Sequence, residues 1–470
     1  MARGRDASSS LVKIRQAFMG ALTGKIKGFI CLAGDVAMLY LALFLTLIIR
    51  YGSNWQNPWD FHFPPFTLIF ISSITIFYII GLYDLSLARN NLYFFVTLTQ
   101  ALIANTIIAV ILFYFVPYFV ITPKTNLFVS FGIFAVLFVC WRQFYNRFIK
   151  SPGLLNNVLF LGQNQETKEL VQRIKDNPQL GYRVKKIVNP DDVKILYDLI
   201  ETIVQEKIQT IVIAISPHED KNLARNLYQC LPLKIMVVDW PAFYEKITDK
   251  IPASSIGEIW FLQNLMNDHK TIFEGFKRVN DIVFSLVFGL FALILTPLIA
   301  LLIKIDSAGP VFFKQKRVGR DNRIFKVVKF RTAIVPSGNF PEKPVAYHAK
   351  EDNECVTRVG QWLRQIRLDE LPQIWNVLKG EMGFVGPKPE RPEFAFSDDL
   401  LAQIPFYQVR HSIKPGLTGW AQIKYPYGAS TKDTWQKLQY DLYYIKNRSF
   451  ILDLAIILKT IKTILSGGGR

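Results

Sequence analysis

The sequence has few cysteines, and their spacing indicates neither a bridge nor a metal site. Its 470 residues include four, and no C-x-x-C pair or neighbouring histidine spacing accompanies Cys31, Cys140, Cys230 or Cys355. A disulfide framework and a zinc site are therefore not indicated. Two of the four lie within apolar segments, where a cysteine usually behaves as a small hydrophobic residue.

Negative charge is scarce relative to positive charge. The chain has 55 Lys and Arg residues against 37 Asp and Glu residues, a formal net charge of +18. Such a chain needs a negative partner, which could be nucleic acid, an anionic lipid surface or a phosphorylated substrate. No nucleic-acid-binding motif is recognisable, and 50% of the residues are hydrophobic. We therefore expect no nucleic acid partner and favour a lipid bilayer and phosphates.

Long apolar stretches are plentiful in the first third of the chain. They lie at about 29–50, 64–83, 95–121 and 127–149, and each approaches or exceeds the roughly 20 residues that span a bilayer as a helix. A basic segment, 1–27, precedes them without a signal-peptide cleavage pattern. Basic residues also close the fourth stretch, at Arg142, Arg147 and Lys150. The positive-inside rule then predicts that both ends of this region face the cytoplasm.

The middle of the chain has the pattern of a soluble α/β module. Buried strands are predicted at Val158–Gly162, Ile211–Ile215 and Leu233–Asp239, with helical patterns between them. This alternation favours a parallel sheet of Rossmann-like topology. The first strand is followed by Gly-Gln-Asn-Gln-Glu at 162–166 rather than G-x-G-x-x-G, so pyrophosphate binding is unsupported. We predict a structural or regulatory module, and nucleotide binding is left open.

A fifth apolar stretch, Asp281–Ile303, has basic residues at both ends, which opposes a single membrane crossing. Thr296-Pro297 interrupts it, and a proline removes one helix hydrogen bond and kinks the axis. These observations favour a re-entrant helix at about 279–304 that returns to the cytoplasmic face. The alternative is an ordinary fifth crossing with a tolerated proline.

The run Leu368-Asp369-Glu370-Leu371-Pro372 places two carboxylates before a helical pattern that ends at Gly380. Because Pro372 fits only a first helical turn, we predict Asp369 at the N-cap and Glu370 at the first helical position. A helix start favours anions, and Arg364 lies just upstream. This arrangement suits phosphoryl transfer, with Asp369 as nucleophile or metal ligand. The simpler interpretation is that both carboxylates merely stabilise the helix end.

Other motifs extend this pattern, and together they resemble the bacterial polyprenyl-phosphate hexose-1-phosphate transferases, also called monotopic phosphoglycosyl transferases. The resemblance covers about Phe276 to Leu465, and its motifs are Lys329-Phe330-Arg331-Thr332, Asn376-Val377-Leu378-Lys379-Gly380, Val385-Gly386-Pro387 and Lys414 to Gln422. Larger family members have a similar four-span region and α/β module before the catalytic part. The family's re-entrant helix is kinked at Ser-Pro, which is Thr296-Pro297 here.

The resemblance implies a chemistry in two steps. Asp369 would attack the sugar-bearing phosphate of a UDP-sugar and expel UMP, and Glu370 would hold Mg²⁺. Polyprenyl (undecaprenyl) phosphate would then take the hexose-1-phosphate from the enzyme. This is the first membrane step of exopolysaccharide, O-antigen or capsule assembly, at the bacterial inner membrane with the catalytic domain on the cytoplasmic face. Neither the sugar nor the polymer is specified, and a homo-oligomer is possible.

Basic side chains near the carboxylates are predicted to contact phosphates: Arg364, Lys329, Arg331, Lys388 and Arg391. A solvated basic strand is the simpler interpretation for the two at 329 and 331. The segment Pro387-Lys388-Pro389 matches the family's Pro-Arg-Pro lipid-phosphate motif, but lysine lacks the bidentate fork of arginine. Ala333 also replaces a usual methionine. These departures are the features in favour of an alternative function, an inactive membrane scaffold or nucleotide-sensing subunit, whereas the intact Asp369-Glu370 pair and Arg364 speak against it.

The predicted fold class is membrane α plus α/β, in which a mixed, α-rich catalytic domain carries the re-entrant helix. The predicted parts are a basic cytoplasmic segment at 1–27, four transmembrane helices within 28–150, the Rossmann-like module at 151–268 and the catalytic domain at 269–466. A polytopic transporter would leave the carboxylate and arginine motifs unexplained. The last helical pattern, 450–465, suits either the membrane surface or the protein core.

Overall fold

The computed structural model describes residues 24–115, 124–151, 155–188, 199–214, 225, 227–233, 235–265, 271–334, 356–425, 428 and 430–465. The basic segment predicted at 1–27 falls mostly outside these ranges. The chain divides into two compact units, Met1–Phe243 and Tyr244–Arg470.

The first unit begins with four long apolar helices. They are α1 (Gly24–Tyr51), α2 (Gln56–Ile80), α3 (Leu92–Phe115) and α4 (Lys124–Phe148). Each is long and apolar enough to cross a membrane, which confirms the four predicted apolar helices. Stacked phenylalanines fill the interior: the rings of Phe77 and Phe138 lie 4.9 Å apart, as do those of Phe134 and Phe138.

A buried ion pair crosses this helical region. The Arg142 guanidinium lies 2.5 Å from Asp35 and also donates a 2.7 Å hydrogen bond to the Leu82 carbonyl. Both charged side chains are at most 2% exposed. Arg142, which the sequence analysis counts among the basic residues that close the fourth stretch, is therefore paired inside the helical region. Its charge joins α4 to α1, since an unpaired charge in an apolar environment would be costly.

A parallel sheet follows, as the alternating pattern predicts. The elements are β1 (Asn156–Leu161), α5 (Gln165–Asp176), β2 (Tyr182–Val188), α6 (Leu199–Gln205), β3 (Thr210–Ile213) and β4 (Met236–Asp239). The strand order is β2-β1-β3-β4, and every pairing is parallel. Among the described residues, β2 is an additional strand that the sequence pattern did not predict.

The second unit combines short helices with two small sheets. Its described elements are α7 (Trp240–Thr248, across the division), α8 (Glu258–Leu265), α9 (Thr271–Asp306), β5 (Phe312–Val318), β6 (Ile324–Phe330), α10 (Arg358–Gln365), α11 (Ile374–Lys379), β7 (Gly383–Val385), α12 (Pro392–Ala395), α13 (Asp398–Gln403), β8 (Gly416–Thr418), α14 (Trp420–Lys424), α15 (Thr431–Asn447) and α16 (Phe450–Leu465). Strands β5 and β6 pair antiparallel, whereas β7 and β8 pair parallel.

The second unit starts earlier than the predicted boundary between 268 and 269. Ile251 and Phe261 belong to the same apolar core as Leu438. The Ile251 amide donates to the Gln439 carbonyl at 3.1 Å. Ile251 and Phe261 thus pack with the carboxy-terminal helices.

Helix α9 is fixed to the second unit at both of its ends. Near its start, Arg278 donates 2.6 Å hydrogen bonds to the carbonyls of Val377 and Leu378. At its end, the Asp306 carboxylate accepts the Val359 amide at 2.9 Å. The basic residue at the start therefore caps the carboxyl end of α11, where a cation also favours the helix dipole.

The middle of α9 is exposed and apolar. Phe291, Leu293 and Ile294 are 66%, 70% and 68% exposed. Pro297 lies inside the helix, and the Thr296 hydroxyl donates to the Ala292 carbonyl at 2.6 Å. A missing amide and a back-bonded threonine both favour bending at this point.

Helix α16 presents apolar residues on two faces. Ile456 is fully buried in the core of the second unit, whereas Ile451 and Leu454 are 79% and 42% exposed. Packing against the protein core is thus confirmed for one face. The other face stays exposed and apolar.

Candidate active site

Asp369 and Glu370 lie on a 3-10 helix, Leu368–Gln373, between α10 and α11. Arg367 precedes it in the left-handed conformation, with φ of 56°. The Arg367 carbonyl accepts the Glu370 amide at 3.2 Å. This reversal brings both carboxylates onto a short turn that is packed against β6 rather than onto a regular helix end.

The prediction that Asp369 is an N-cap is wrong. The α-helix begins only at Ile374, and no side chain caps the 3-10 segment. Pro372 has no amide hydrogen and would clash inside an α-helical turn, so the turn that contains it is 3-10. The helix does end at Gly380, as predicted, with φ of 85°. The simpler interpretation of Asp369 as a helix cap therefore fails.

Glu370 is held as an anion. The Lys329 ammonium lies 2.8 Å from one carboxylate oxygen, and the Arg367 guanidinium lies 3.9 Å from the other. Burial alone would raise the pKa of Glu370, but the charges of Lys329 and Lys388 outweigh it and lower the pKa to about 2. Glu370 is thus ionised throughout the physiological range.

Asp369 has the opposite environment. Burial and the neighbouring Glu370 charge raise the pKa of Asp369 above its ordinary value. The positive charges of Lys329, Arg364 and Lys388 oppose this rise. Two adjacent carboxylates whose pKa values are displaced in opposite directions are typical of catalytic pairs.

The segment Pro387-Lys388-Pro389 is fixed through its backbone carbonyls. Prolines have no amide hydrogen, so carbonyls are the main backbone groups through which the segment can be held. All four carbonyls from Pro387 to Glu390 accept hydrogen bonds, in order from Gly416 N, Arg410 Nη2, Arg317 Nη1 and Val318 N at 3.0, 3.1, 3.0 and 2.9 Å. This geometry holds the backbone that carries Lys388.

A small pocket brings together several of the predicted residues. Its lining includes Glu370, Lys329 and Lys388. Arg317 on β5 and Gly416 on β8 also line it. Asp369 does not line the pocket, but the charges of Lys329 and Lys388 act on it. The arrangement is a carboxylate pair beside three cationic side chains, which suits a phosphate group.

Arg410 is a residue that the sequence analysis missed. It is 5% exposed and lies 2.8 Å from the buried Asp441 carboxylate. It also donates a 2.6 Å hydrogen bond to the Tyr407 hydroxyl and lies 3.6 Å from Glu390. Through its bond to the Lys388 carbonyl, this buried pair connects α15 to the Pro-Lys-Pro segment.

The other predicted phosphate contacts lie in different settings. Arg364 donates to the Thr332 hydroxyl at 2.9 Å and acts electrostatically on Asp369. Arg391 is exposed and precedes α12. Arg331 is 4% exposed, and its guanidinium donates to backbone carbonyls at the end of α9, those of Ser307 and Ala308, both at 2.7 Å. The structure thus shows Arg331 bound to the backbone at the end of α9, and its contact with a phosphate stays a prediction.

The carboxylates also form a candidate magnesium site. Among the described residues, no group of three or more His, Cys, Asp or Glu side chains converges. Mg²⁺ commonly takes only one or two carboxylates and completes its coordination with water and substrate phosphates. The oxygen donors of Asp369 and Glu370 fit that chemistry once a phosphate is present.

The described residues thus combine several long apolar helices with a carboxylate pair and a basic pocket, both of which lie in the second unit. This combination is typical of a membrane enzyme that acts on phosphates. Residues 272–467 match the family described as bacterial sugar transferase. A UDP-glucose:undecaprenyl-phosphate glucose-1-phosphate transferase from Klebsiella pneumoniae is 33% identical over 65% of this chain and 66% of its own length. The exopolysaccharide production protein PSS from Rhizobium leguminosarum bv. phaseoli is 37% identical over 40% of this chain and 98% of its own length. The chain belongs to the bacterial sugar transferase family.

A further relative has higher identity over a shorter region. The UDP-N-acetylgalactosamine-undecaprenyl-phosphate N-acetylgalactosaminephosphotransferase of Aeromonas hydrophila is 48% identical over 170 residues, 36% of this chain. The chain covers 39% of that relative's length. The relatives' names include different sugars, so family membership does not specify the sugar.

Proposed function

We propose that the protein transfers a hexose-1-phosphate from a UDP-sugar to polyprenyl phosphate. In the first step an Asp369 oxygen bonds to the sugar-bearing phosphorus, the bond to the bridging oxygen breaks, and UMP leaves. In the second step a phosphate oxygen of the lipid bonds to that phosphorus and Asp369 leaves as a carboxylate. The products are UMP and polyprenyl-diphospho-sugar, and each step places one anion against the phosphorus at a time.

One observation carries this proposal: Asp369 and Glu370 are adjacent on one short turn, Lys329 lies 2.8 Å from Glu370, and Lys388 lines the same pocket as Glu370. The cations offset phosphate charge, and the shifts agree with this geometry: the pKa of Glu370 is lowered and that of Asp369 is raised. The names of the relatives support the substrate classes.

Mg²⁺ belongs to the same proposal. Glu370, with Asp369 adjacent, would hold the ion, which when bound neutralises charge on the diphosphate and the leaving UMP. Lys329 already pairs with Glu370 at 2.8 Å, so its ammonium shields this carboxylate before substrate binds.

The direct test is product formation by the purified protein. Given polyprenyl phosphate, Mg²⁺ and a panel of UDP-sugars, it should release UMP with at least one sugar and form a lipid-linked diphosphosugar. If no UDP-sugar of the panel led to UMP release, the alternative of an inactive scaffold or nucleotide-sensing subunit would be favoured. Nucleotide binding to a protein that releases no UMP would point to the sensor.

We also propose that the protein is a multi-pass protein of the bacterial inner membrane with the second unit in the cytoplasm. In this proposal α9 is re-entrant. The hydrogen bonds of Arg278 and Asp306 to one compact unit support this topology, because both helix ends then lie on the same side. The parallel sheet supports a Rossmann-like module before the catalytic part.

This topology gives a labelling prediction. Single cysteines replacing Gly275 and Ala308, both exposed, in a protein whose native cysteines are changed to serine, should both react from the cytoplasmic side only. Pro297→Leu should favour a straighter helix and expose position 308 to the periplasmic reagent. Periplasmic labelling of position 308 with Pro297 intact would instead establish a fifth crossing. A cysteine at exposed Lys432 on α15 marks the cytoplasmic side.

The charges around Asp369 give a pH prediction. Asp369 must be ionised to attack, and its pKa is raised, so adduct formation should lose activity at a pH above the ordinary carboxyl value of about 4. Lys329→Gln removes a charge that lowers this pKa and should move the acid limb upward. Glu370→Gln removes a charge that raises it and should move the limb downward. Lys432→Gln, at an exposed site, is the control and should leave the acid limb in place. An acid limb that moves in neither the Lys329 variant nor the Glu370 variant would contradict the assignment.

A further inference from the structure

A second pocket in this unit, the phenylalanine pocket, has five phenylalanines among its twelve lining residues. It lies where the start of α9 meets β7 and α16, and its lining includes Phe276, Phe284, Phe384, Phe450 and Leu454. Neither the carboxylate pair nor Lys388 lines it. It is therefore a different site from the basic pocket that contains Glu370.

The three charged groups in the pocket wall, those of Lys277, Asp281 and Asp453, have partners within the protein. The Lys277 ammonium lies 2.6 Å from Asp453, which also accepts the Tyr444 hydroxyl at 2.7 Å. The buried Asp281 carboxylate accepts the Phe384 amide at 3.0 Å. Because these charges are satisfied within the protein, the pocket suits an apolar ligand rather than a headgroup.

The pocket continues the exposed apolar surface of the unit. Phe276 on α9 is 68% exposed, and Phe450 and Ile451 on α16 are 54% and 79% exposed. The same helix α9 has an exposed apolar middle, which needs lipid around it. A hydrocarbon chain of a lipid in the bilayer can therefore reach the pocket without crossing water.

The two pockets lie on neighbouring strands. Phe384 and Val385 on β7 line the apolar pocket, whereas Gly416 and Leu417 on β8 line the basic one. These strands are hydrogen-bonded partners, so their backbones are about 4.8 Å apart. Lys388 follows Val385 by three residues, a reach of at most about 10 Å. One lipid could occupy both pockets.

We propose that the phenylalanine pocket holds the first isoprene units of polyprenyl phosphate, and that its phosphate extends to Lys388. This inference rests on the proposed function, because it assigns a seat to the acceptor lipid of that reaction. The phenylalanine pocket contributes affinity for the isoprenoid chain, whereas the basic pocket binds the lipid's phosphate. The isoprene units nearest the phosphate are thus bound by protein, and the remaining units lie in the bilayer.

Filling the pocket tests this assignment. Leu454 is partly exposed, at 42%, so Leu454→Trp should occupy the pocket at little cost to folding. We expect KM for long-chain polyprenyl phosphate to rise by roughly tenfold or more, the range for crowding a hydrophobic pocket. Labelling of the enzyme by UDP-sugar in the absence of lipid should be unchanged. Ile461→Trp, on the same helix at 41% exposure but outside the pocket lining, is the matched control and should behave like wild type.

A second measurement uses the unaltered protein. A polyprenyl phosphate with a photoreactive group in its first isoprene units should cross-link to α16 or to the start of α9, and excess unmodified lipid should compete. Cross-links confined to α1–α4, or an unchanged lipid KM in a folded Leu454→Trp protein, would overturn the proposal. Failure of the wild-type protein to label with UDP-sugar would instead count against the proposed function, so the two failures are distinguishable.

Discussion

Replacing Asp369 with asparagine is expected to abolish the phosphosugar adduct while the protein still folds. Asparagine keeps the side-chain size but has no nucleophilic carboxylate, so the loss should be at least about a thousandfold, as for other removed nucleophiles. The fold should tolerate the change because Asp369 caps no helix. It also removes a negative charge beside Glu370 that is unfavourable in the folded protein.

The measurement is the retention of label from a UDP-sugar labelled in the sugar. Wild-type protein with Mg²⁺ and no lipid should keep the label until polyprenyl phosphate is added. Glu370→Gln is the matched neighbour: it should still label, but slowly or at higher Mg²⁺. A label retained by Asp369→Asn would assign the nucleophile elsewhere. Transfer that requires both substrates at once would replace the covalent step with direct displacement.

Breaking the buried pair between Arg410 and Asp441 should have the second large effect. Arg410→Ala leaves the Asp441 carboxylate, in a residue that is 1% exposed, without its cation. In comparable buried pairs such a change lowers the free energy of unfolding by about 3–5 kcal/mol. It also removes the donor to the Lys388 carbonyl. The thermal unfolding temperature should fall, and transfer to lipid should fall with it.

A double variant separates stability from positioning. Arg410→Met with Asp441→Leu replaces the pair by apolar side chains of similar volume, which often restores stability. We expect the unfolding temperature to recover while KM for polyprenyl phosphate stays high, since the Lys388 carbonyl still lacks the donor that Arg410 supplied. Recovery of both would mean that the pair acts only in folding. Lys424→Met with Asp249→Leu, a more exposed pair in the same unit, should change lipid KM little.

Local patterns predicted those elements whose determinants lie close together in sequence. Strand β1 follows from a short apolar run, and the end of α11 follows from Gly380, because glycine adopts the left-handed conformation without strain. Strand β2 escaped prediction because Arg183, Lys185 and Lys186 interrupt its apolar residues. It lies at the sheet edge beside β1, where charged side chains reach solvent.

The missed parts of the site depend on residues far apart in sequence. Arg410 pairs with Asp441 and binds the Lys388 carbonyl, and no periodic pattern links three such positions. Lys329 and Arg331 lie two apart on one basic run, yet one pairs with Glu370 and the other binds the end of α9. A charge in a motif identifies a candidate, but only the fold specifies its partner.

The anchoring of α9 has a consequence for biogenesis. Its ends are held by Val359, Val377 and Leu378, residues that the ribosome adds only after the helix has been made. When α9 first meets the bilayer, Arg278 and Asp306 have none of these partners. In the proposed re-entrant topology, the charges that flank the helix would set its initial orientation, and the later contacts would stabilise that arrangement.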